Sequence, residues 1–296
     1  MSKKNDGAGL NSRLIRRPIQ RWAPLFILPV FAAFCIGFVW PFLQGIYLSF
    51  CTFNIPKDAK WVGLTNYSKI WTDVSFWNAF KNTAFFAVVS ILLINVLAFF
   101  IAYALTQKMR GSNLFRTVFF MPNLIGGVVL GYIWSMIFDG ILRNYATYLT
   151  ANATYGFWGL VILVAWQQIG YMMIIYVAGL QSVPGDLIEA AKIDGAGRWQ
   201  LMWHVTLPAI RGTIILMLIM KVGSLLNTGY EQIFLMQNAM NRSVSDVFDT
   251  YIYTKGIVNG QYSLATAAGL FKSIVSMVMV VGANKIAKLF GESGLY

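Results

Sequence analysis

Residues 82–107 read NTAFFAVVSILLINVLAFFIAYALTQ, without a single charged side chain. A helix needs roughly 20 apolar residues to cross a bilayer core, and this stretch exceeds that. Residues 22–56, 117–138 and 144–185 are charge-free too. Within the last window, 145–156 is polar and turn-rich, which leaves room for one span there. Two further apolar segments each carry one lysine: 212–227 around Lys221 and 264–284 around Lys272. Backbone polar groups in lipid must be satisfied within the segment, so each span is expected to be a helix. The expected fold is all-α and polytopic, with six transmembrane helices at about 22–50, 79–105, 114–138, 157–180, 209–227 and 264–287. These form a membrane domain over 22–290, flanked by tails at 1–21 and 291–296, with a long loop at 182–208 between the fourth and fifth helices.

Composition agrees. Hydrophobic residues make up 57% of the 296 and charged residues 11%, against roughly 25% charged in an average soluble domain. The net charge is +12. Its placement speaks against nucleic acid, because Lys3, Lys4, Arg13, Arg16, Arg17 and Arg21 precede the first apolar run. That pattern suits topogenesis and anionic lipid headgroups. With the N-terminus inside, 14 of the 23 basic residues fall on inner segments and 7 on outer ones. The expectation is a multi-pass plasma-membrane protein with both termini cytoplasmic and an uncleaved first span. Cys35 and Cys51 are the only cysteines. On one helix they would lie about 24 Å apart, too far for a bridge.

Residues 182–208 differ from the other loops. Pro184 suits an early helix position, and Asp186 and Glu189 place carboxylates near a helix N-terminus. Ala190, Ala191, Lys192 and Ile193 continue a helix, and Gly195 can end it. A second short helix fits 198–205, and Pro208 opens the fifth span. Read from these residues alone, the first helix could seat in a groove on another protein or rest on lipid headgroups.

Glu189-Ala190-Ala191, Asp194-Gly195-Ala196 and Leu207-Pro208 resemble the EAA loop of the inner-membrane permeases of binding-protein-dependent ABC importers. The segment from Arg116 to Pro122, the stretch around Trp166 and Gly170-Tyr171-Met172, and the run from Ala178 to Pro184 resemble the sugar-importing branch. The resemblance implies that the loop is a coupling helix docking on a cytoplasmic ATPase, with Glu189 meeting a basic residue there. It implies a second permease in a heterodimer, two ATPase subunits and an extracytoplasmic solute-binding protein. ATP and Mg would sit on the ATPase subunits; this chain lacks a G-x-x-x-x-G-K-[ST] loop and would bind no cofactor and no metal. Met202 stands where the family has Phe, which keeps an apolar contact.

The implied activity is import of a sugar, an oligosaccharide, by alternating access, with no catalytic residues. Polar groups within spans are the candidates for the solute path. They are Asn227, Tyr230, Glu231 and Gln232 at the end of the fifth span, with Trp166, Gln167 and Tyr171 in the fourth. Asn95, Trp134 and Gln168 are further candidates. Each can equally be an interhelical hydrogen bond or an interfacial anchor. Lys221 and Lys272 are expected to face the bundle or a cavity, and either could bind an anionic solute such as a uronate. Competing classes are an ion-coupled secondary transporter, an ABC permease for a non-sugar solute, and a membrane-embedded enzyme. The first would show inverted repeats and paired broken helices, and the last clustered acids, histidines or cysteines.

Overall fold

The computed structural model describes residues 24–107, 109–145, 153–224, 226–227, 230–237, 241–289, 291–292 and 294–295. The basic tail expected at 1–21 lies outside them, as do residues 146–152 of the polar segment before the fourth span. Helix α1 (Pro24–Ser49) leads into a short antiparallel hairpin, β1 (Cys51–Thr52) with β2 (Lys60–Trp61), in which Cys51 faces Trp61. Next come α2 (Thr65–Thr72) and the long α3 (Val74–Thr106). They are followed by α4 (Ser112–Leu124), α5 (Gly127–Leu142) and α6 (Ala153–Gln181). The 182–208 region forms α7 (Gly185–Ile193) and α8 (Arg198–Ala209), which runs on to α9 (Arg211–Gly223). Three short helices, α10 (Tyr230–Met236), α11 (Arg242–Ser245) and α12 (Phe248–Tyr253), precede α13 (Tyr262–Leu289).

Among the described residues α1, α3, α6 and α13 are each long and apolar enough to cross a membrane unbroken. The segments expected as the third and fifth spans are not straight. Helices α4 and α5 meet at 103°, and α8 and α9 at 63°. At the first break Pro122 sits in a 3-10 turn, and Ile125 and Gly126 are extended, with ψ of 131° and 144°. Proline has no N–H to continue the ladder, and glycine tolerates the exit. At the second, Ile210 leaves helical geometry with φ −99° and ψ 9°. Helix α8 continues through Pro208, so the proline lies before the bend and does not open the span itself.

The core is the contact of α3 with α6. Ile94, Ala98, Ala102 and Leu105 recur at helical spacing and are buried against Met172, Met173, Tyr176 and Leu180. Alanines at two successive turns let the α6 backbone approach closely. Tyr176 Oη donates to Asn95 Oδ1 at 2.5 Å, and Asn95 Nδ2 donates to the Ile91 carbonyl at 2.7 Å. Asn95 thus makes an interhelical bond and is not among the residues lining the cavity between α3, α6, α9 and α10. Helix α6 also crosses the end of α4 at Gly170, where an added Cβ would overlap the Phe119 carbonyl.

Bonds between distant segments sort the connections onto two opposite ends. At one, Tyr103 Oη donates to the Arg198 carbonyl at 3.3 Å, and Arg211 pairs with Glu292 at 2.9 Å. At the other, Phe53 N–H donates to Ser263 Oγ at 2.8 Å and Phe248 N–H to Thr83 Oγ1 at 2.8 Å. Asp73 caps α3 there. Its Oδ1 accepts from Ser75 N–H at 2.9 Å, while Oδ2 accepts from Tyr251 Oη at 2.9 Å and Lys255 Nζ at 2.8 Å. Burial pushes the Asp73 carboxyl up, but the Lys255, Tyr251 and Ser75 donors together outweigh it and hold the pKa below the ordinary value.

Two predictions follow from these contacts. Replacing Gly170 by Leu should cost at least about 1–3 kcal/mol through overpacking and lower the yield of monodisperse protein extracted in detergent. Wild-type yield and thermal midpoint for that variant would contradict the close crossing. For Asp73, a pKa lowered by folding stabilises above the unfolded value and is lost as pH falls through the folded one. Asp73→Asn should therefore lower the thermal midpoint at pH 7 and flatten its decline below about pH 4, as read by thermal unfolding across pH.

Candidate functional site

A cavity of about 650 Å³ opens between α3, α6, α9 and α10. Its apolar wall comes from α3 through Phe86, Ala87, Ile91 and Ile94. Two of these, Ala87 and Ile91, pack in a small cluster with Leu226, Val275 and Met279. The polar wall comes from α6, α9 and α10. Gln167 and Gln168 are neighbours on α6, so their side chains diverge by about 100° around the helix. Gln167 Oε1 accepts from Gln232 Nε2 at 2.6 Å, and its Nε2 reaches the freed Ile125 carbonyl at 3.4 Å. Gln168 Oε1 accepts from Lys221 Nζ at 2.8 Å. Asn227, Tyr230 and Glu231 also line it, with Ser90, Ser224, Gly127 and Val164.

Glycines bring α5 and α10 together beneath this wall. A Cβ at Gly127 would lie 2.8 Å from Glu231 Oε2 and 3.2 Å from Gln232 Nε2, and one at Gly131 would lie 3.3 Å from the Gln232 Cα. The spacing of four residues places both glycines on one helix face. The 103° break aims the start of α5 at the cavity.

Of the residues picked out in sequence, the structure gathers Gln167, Gln168, Lys221, Asn227, Tyr230, Glu231 and Gln232 at this cavity. It leaves others outside its lining. Trp166 points roughly 100° from Gln167, is 39% exposed and meets the Trp134 ring edge-on at 5.4 Å. Tyr171 is 40% exposed. Lys272 forms an ion pair with Asp249, both side chains being mostly buried. That partner was missed because Asp249 lies 23 residues away, on α12. Ser90 and Ser224 were missed as well. Ser90 had a legible signal: it is a hydroxyl inside an apolar run, one turn before Ile94 and one after Phe86.

The second notable geometry is at α7. Pro184 stands at the N-cap, one residue before the helix. Gly195 has φ +81°, a left-handed conformation that costs other residues roughly 1–2 kcal/mol. Its N–H donates to the Lys192 carbonyl at 3.1 Å, and Ala196 N–H donates to the Ala191 carbonyl at 2.9 Å. This is the paired-bond ending that glycine favours after a helix. Glu189, Ala190 and Asp194 are exposed, Ala191 and Ala196 partly so, and Leu187 is 49% and Ile193 86% exposed. Further on, Leu207 is half-buried and Pro208 exposed. Helix α7 is thus a firmly ended helix that the rest of the chain barely covers, while Met202 in α8 anchors the segment in the α3–α6 core.

Comparison with known proteins places this geometry. The family described as "Binding-protein-dependent transport system inner membrane component" matches residues 110–290. Protein LplB of Bacillus subtilis is 33% identical over 292 residues, covering 94% of this chain and 92% of that one. The polygalacturonan/rhamnogalacturonan transport system permease protein YteP of the same organism is 33% identical, with 96% and 92% covered. A chain in the crystal structure of a bacterial alginate ABC transporter, in complex with an alginate pentasaccharide-bound periplasmic protein, superposes with a TM-score of 0.84. It is 25% identical and covers 94% of this chain and 99% of its own. The protein is therefore a member of the family of inner-membrane components of binding-protein-dependent transport systems, the ABC importer permeases.

Proposed function

We propose that this chain is the permease subunit of an ATP-driven importer that carries a saccharide, an oligosaccharide, across the bacterial plasma membrane. The observation that supports it most is the cavity among the apolar helices, lined by four amides, two serines, a tyrosine, a lysine and a glutamate. Such groups exchange hydrogen bonds with many hydroxyls at once, as a sugar requires. The named activities of the polygalacturonan/rhamnogalacturonan and alginate relatives support a saccharide cargo.

In this reading each bent helix pair counts as one crossing, giving six. The end carrying α7 and the Arg211–Glu292 pair faces the cytoplasm, with both termini. The opposite end, with the Asp73 staple, receives an extracytoplasmic binding protein. A second, non-identical permease packs alongside. Two ATPase subunits, which hold ATP and Mg, dock on α7. Glu189, exposed midway along α7, supplies a charge-assisted hydrogen bond to a basic residue of the ATPase. Closure of the ATPase dimer draws α7 inward, and α8, anchored in the core through Met202, passes the movement to α9 and the Lys221 side of the cavity.

The direct test is co-purification: a stable complex with a nucleotide-binding subunit in mild detergent is expected, and its absence would count against the assembly. Gly195→Trp loses the left-handed turn and should leave ATPase activity while cutting uptake by at least about tenfold. Uptake at the wild-type rate would remove α7 from the coupling role. In the cavity, the double change of Asn227 and Glu231 to Ala should lower transport with assembly intact. Unaltered transport kinetics would exclude those two residues from the path.

A further inference from the structure

The two lysines in the apolar helices have different surroundings. Lys272 is paired with the Asp249 carboxylate. Among the described residues Lys221 has no carboxylate within the 4 Å of an ion pair, and its hydrogen-bond partner is the neutral Gln168 amide oxygen at 2.8 Å. One amide oxygen takes one of three ammonium protons and leaves the charge uncompensated. A charge kept among apolar helices is costly, and it is retained where it has work to perform.

Ser90 gives a second, independent observation at the same cavity. Its side chain is 4% exposed, and its Oγ has no hydrogen-bond partner. Helical hydroxyls elsewhere in the chain turn back onto a carbonyl of the preceding turn, as Thr83 does to Ala79 at 2.7 Å and Ser273 to Gly269 at 3.0 Å. Ser90 does not. A buried hydroxyl without a partner calls for one. One cavity therefore holds a hydroxyl without a hydrogen-bond partner and a cation without a carboxylate beside it.

The other charge in the cavity, Glu231, lies against Gly127 beside Gln232 and is not ion-paired to Lys221. The cavity thus presents two donors with protons to spare, Lys221 and Ser90, and one acidic acceptor, Glu231. A carboxylate fits the donors, and sugar hydroxyls fit the acceptor. A dianionic phosphate would meet stronger repulsion from Glu231 in a low-dielectric site.

We infer that Lys221 and Ser90 form a carboxylate-recognising subsite, so that the transported saccharide is acidic, of the uronate type. The inference rests on the sugar-import reading. It is tested on the assembled transporter purified from membranes, by equilibrium binding of trigalacturonate and of the same trisaccharide with its carboxyls reduced to alcohols. The wild type is expected to prefer the acidic sugar by at least about tenfold. Lys221→Gln should abolish that preference and Lys221→Arg should keep it. Ser90→Ala should narrow it several-fold. A wild type without preference, or a Lys221→Gln variant that keeps it, overturns the assignment. If Lys221→Gln fails to fold, the Lys221→Arg and Ser90→Ala results decide: loss of preference in the first, or none of it lost in the second, overturns the subsite. A wild type that binds neither sugar refutes the sugar reading itself, and the subsite with it. Binding of the neutral sugar alone refutes the subsite only.

Discussion

The packing of α6 on α3 carries the rest of the molecule. The pair buries alanines, methionines and Tyr176 along several turns, and Tyr176 bonds to Asn95 across the contact. In an apolar solvent there is little hydrophobic gain from helix association, so close approach and interhelical hydrogen bonds supply the specificity. Small residues at the contact provide the first and the Tyr176–Asn95 bond the second. From this pair the other elements take their positions. Helix α4 rests on α6 at Gly170, and α8 is held through Met202. The cavity opens along the same two helices, where Gln167 and Gln168 replace apolar side chains.

The broken helices open what the straight ones keep closed. An unbroken helix satisfies all its backbone groups internally and has nothing left to offer a solute. The break at Pro122–Gly126 frees the Ile125 carbonyl, which Gln167 takes up, and turns the Gly127 end of α5 toward Glu231. The bend at Ile210 separates the exposed α7–α8 segment from α9, the helix that carries Lys221. A short linkage therefore runs from an exposed helix to a polar cavity, through one bend and one buried methionine. The Arg211–Glu292 pair ties the start of α9 to the chain end near α13.

Polar residues in the spans divide into two groups that look alike in sequence. Asn95 and Lys272 are consumed by other parts of the chain, the first by Tyr176 and the second by Asp249. Lys221 and Ser90 meet the cavity, the first bonded to a neutral amide oxygen and in no ion pair among the described residues, the second without a hydrogen-bond partner. This division, more than the residue types, separates the polar groups used in packing from those left facing the cavity.

Sequence by itself determined a great deal. Charge-free windows placed the apolar helices because a bilayer tolerates neither charge nor unpaired backbone over its thickness. The Glu189 to Ala196 pattern marked a glycine-ended helix because a left-handed residue is required there. Even the cluster from Asn227 to Gln232 stood out as polar groups beside a span. Tertiary structure alone decided which of these groups meet. Helical phase put Gln167 and Gln168 on the cavity and turned Trp166 to the Trp134 ring. The fold brought Asp249 to Lys272, and among the described residues it leaves Lys221 in no ion pair. Local patterns report what a segment can satisfy within itself, and side-chain partners depend on distances between segments that no local pattern encodes.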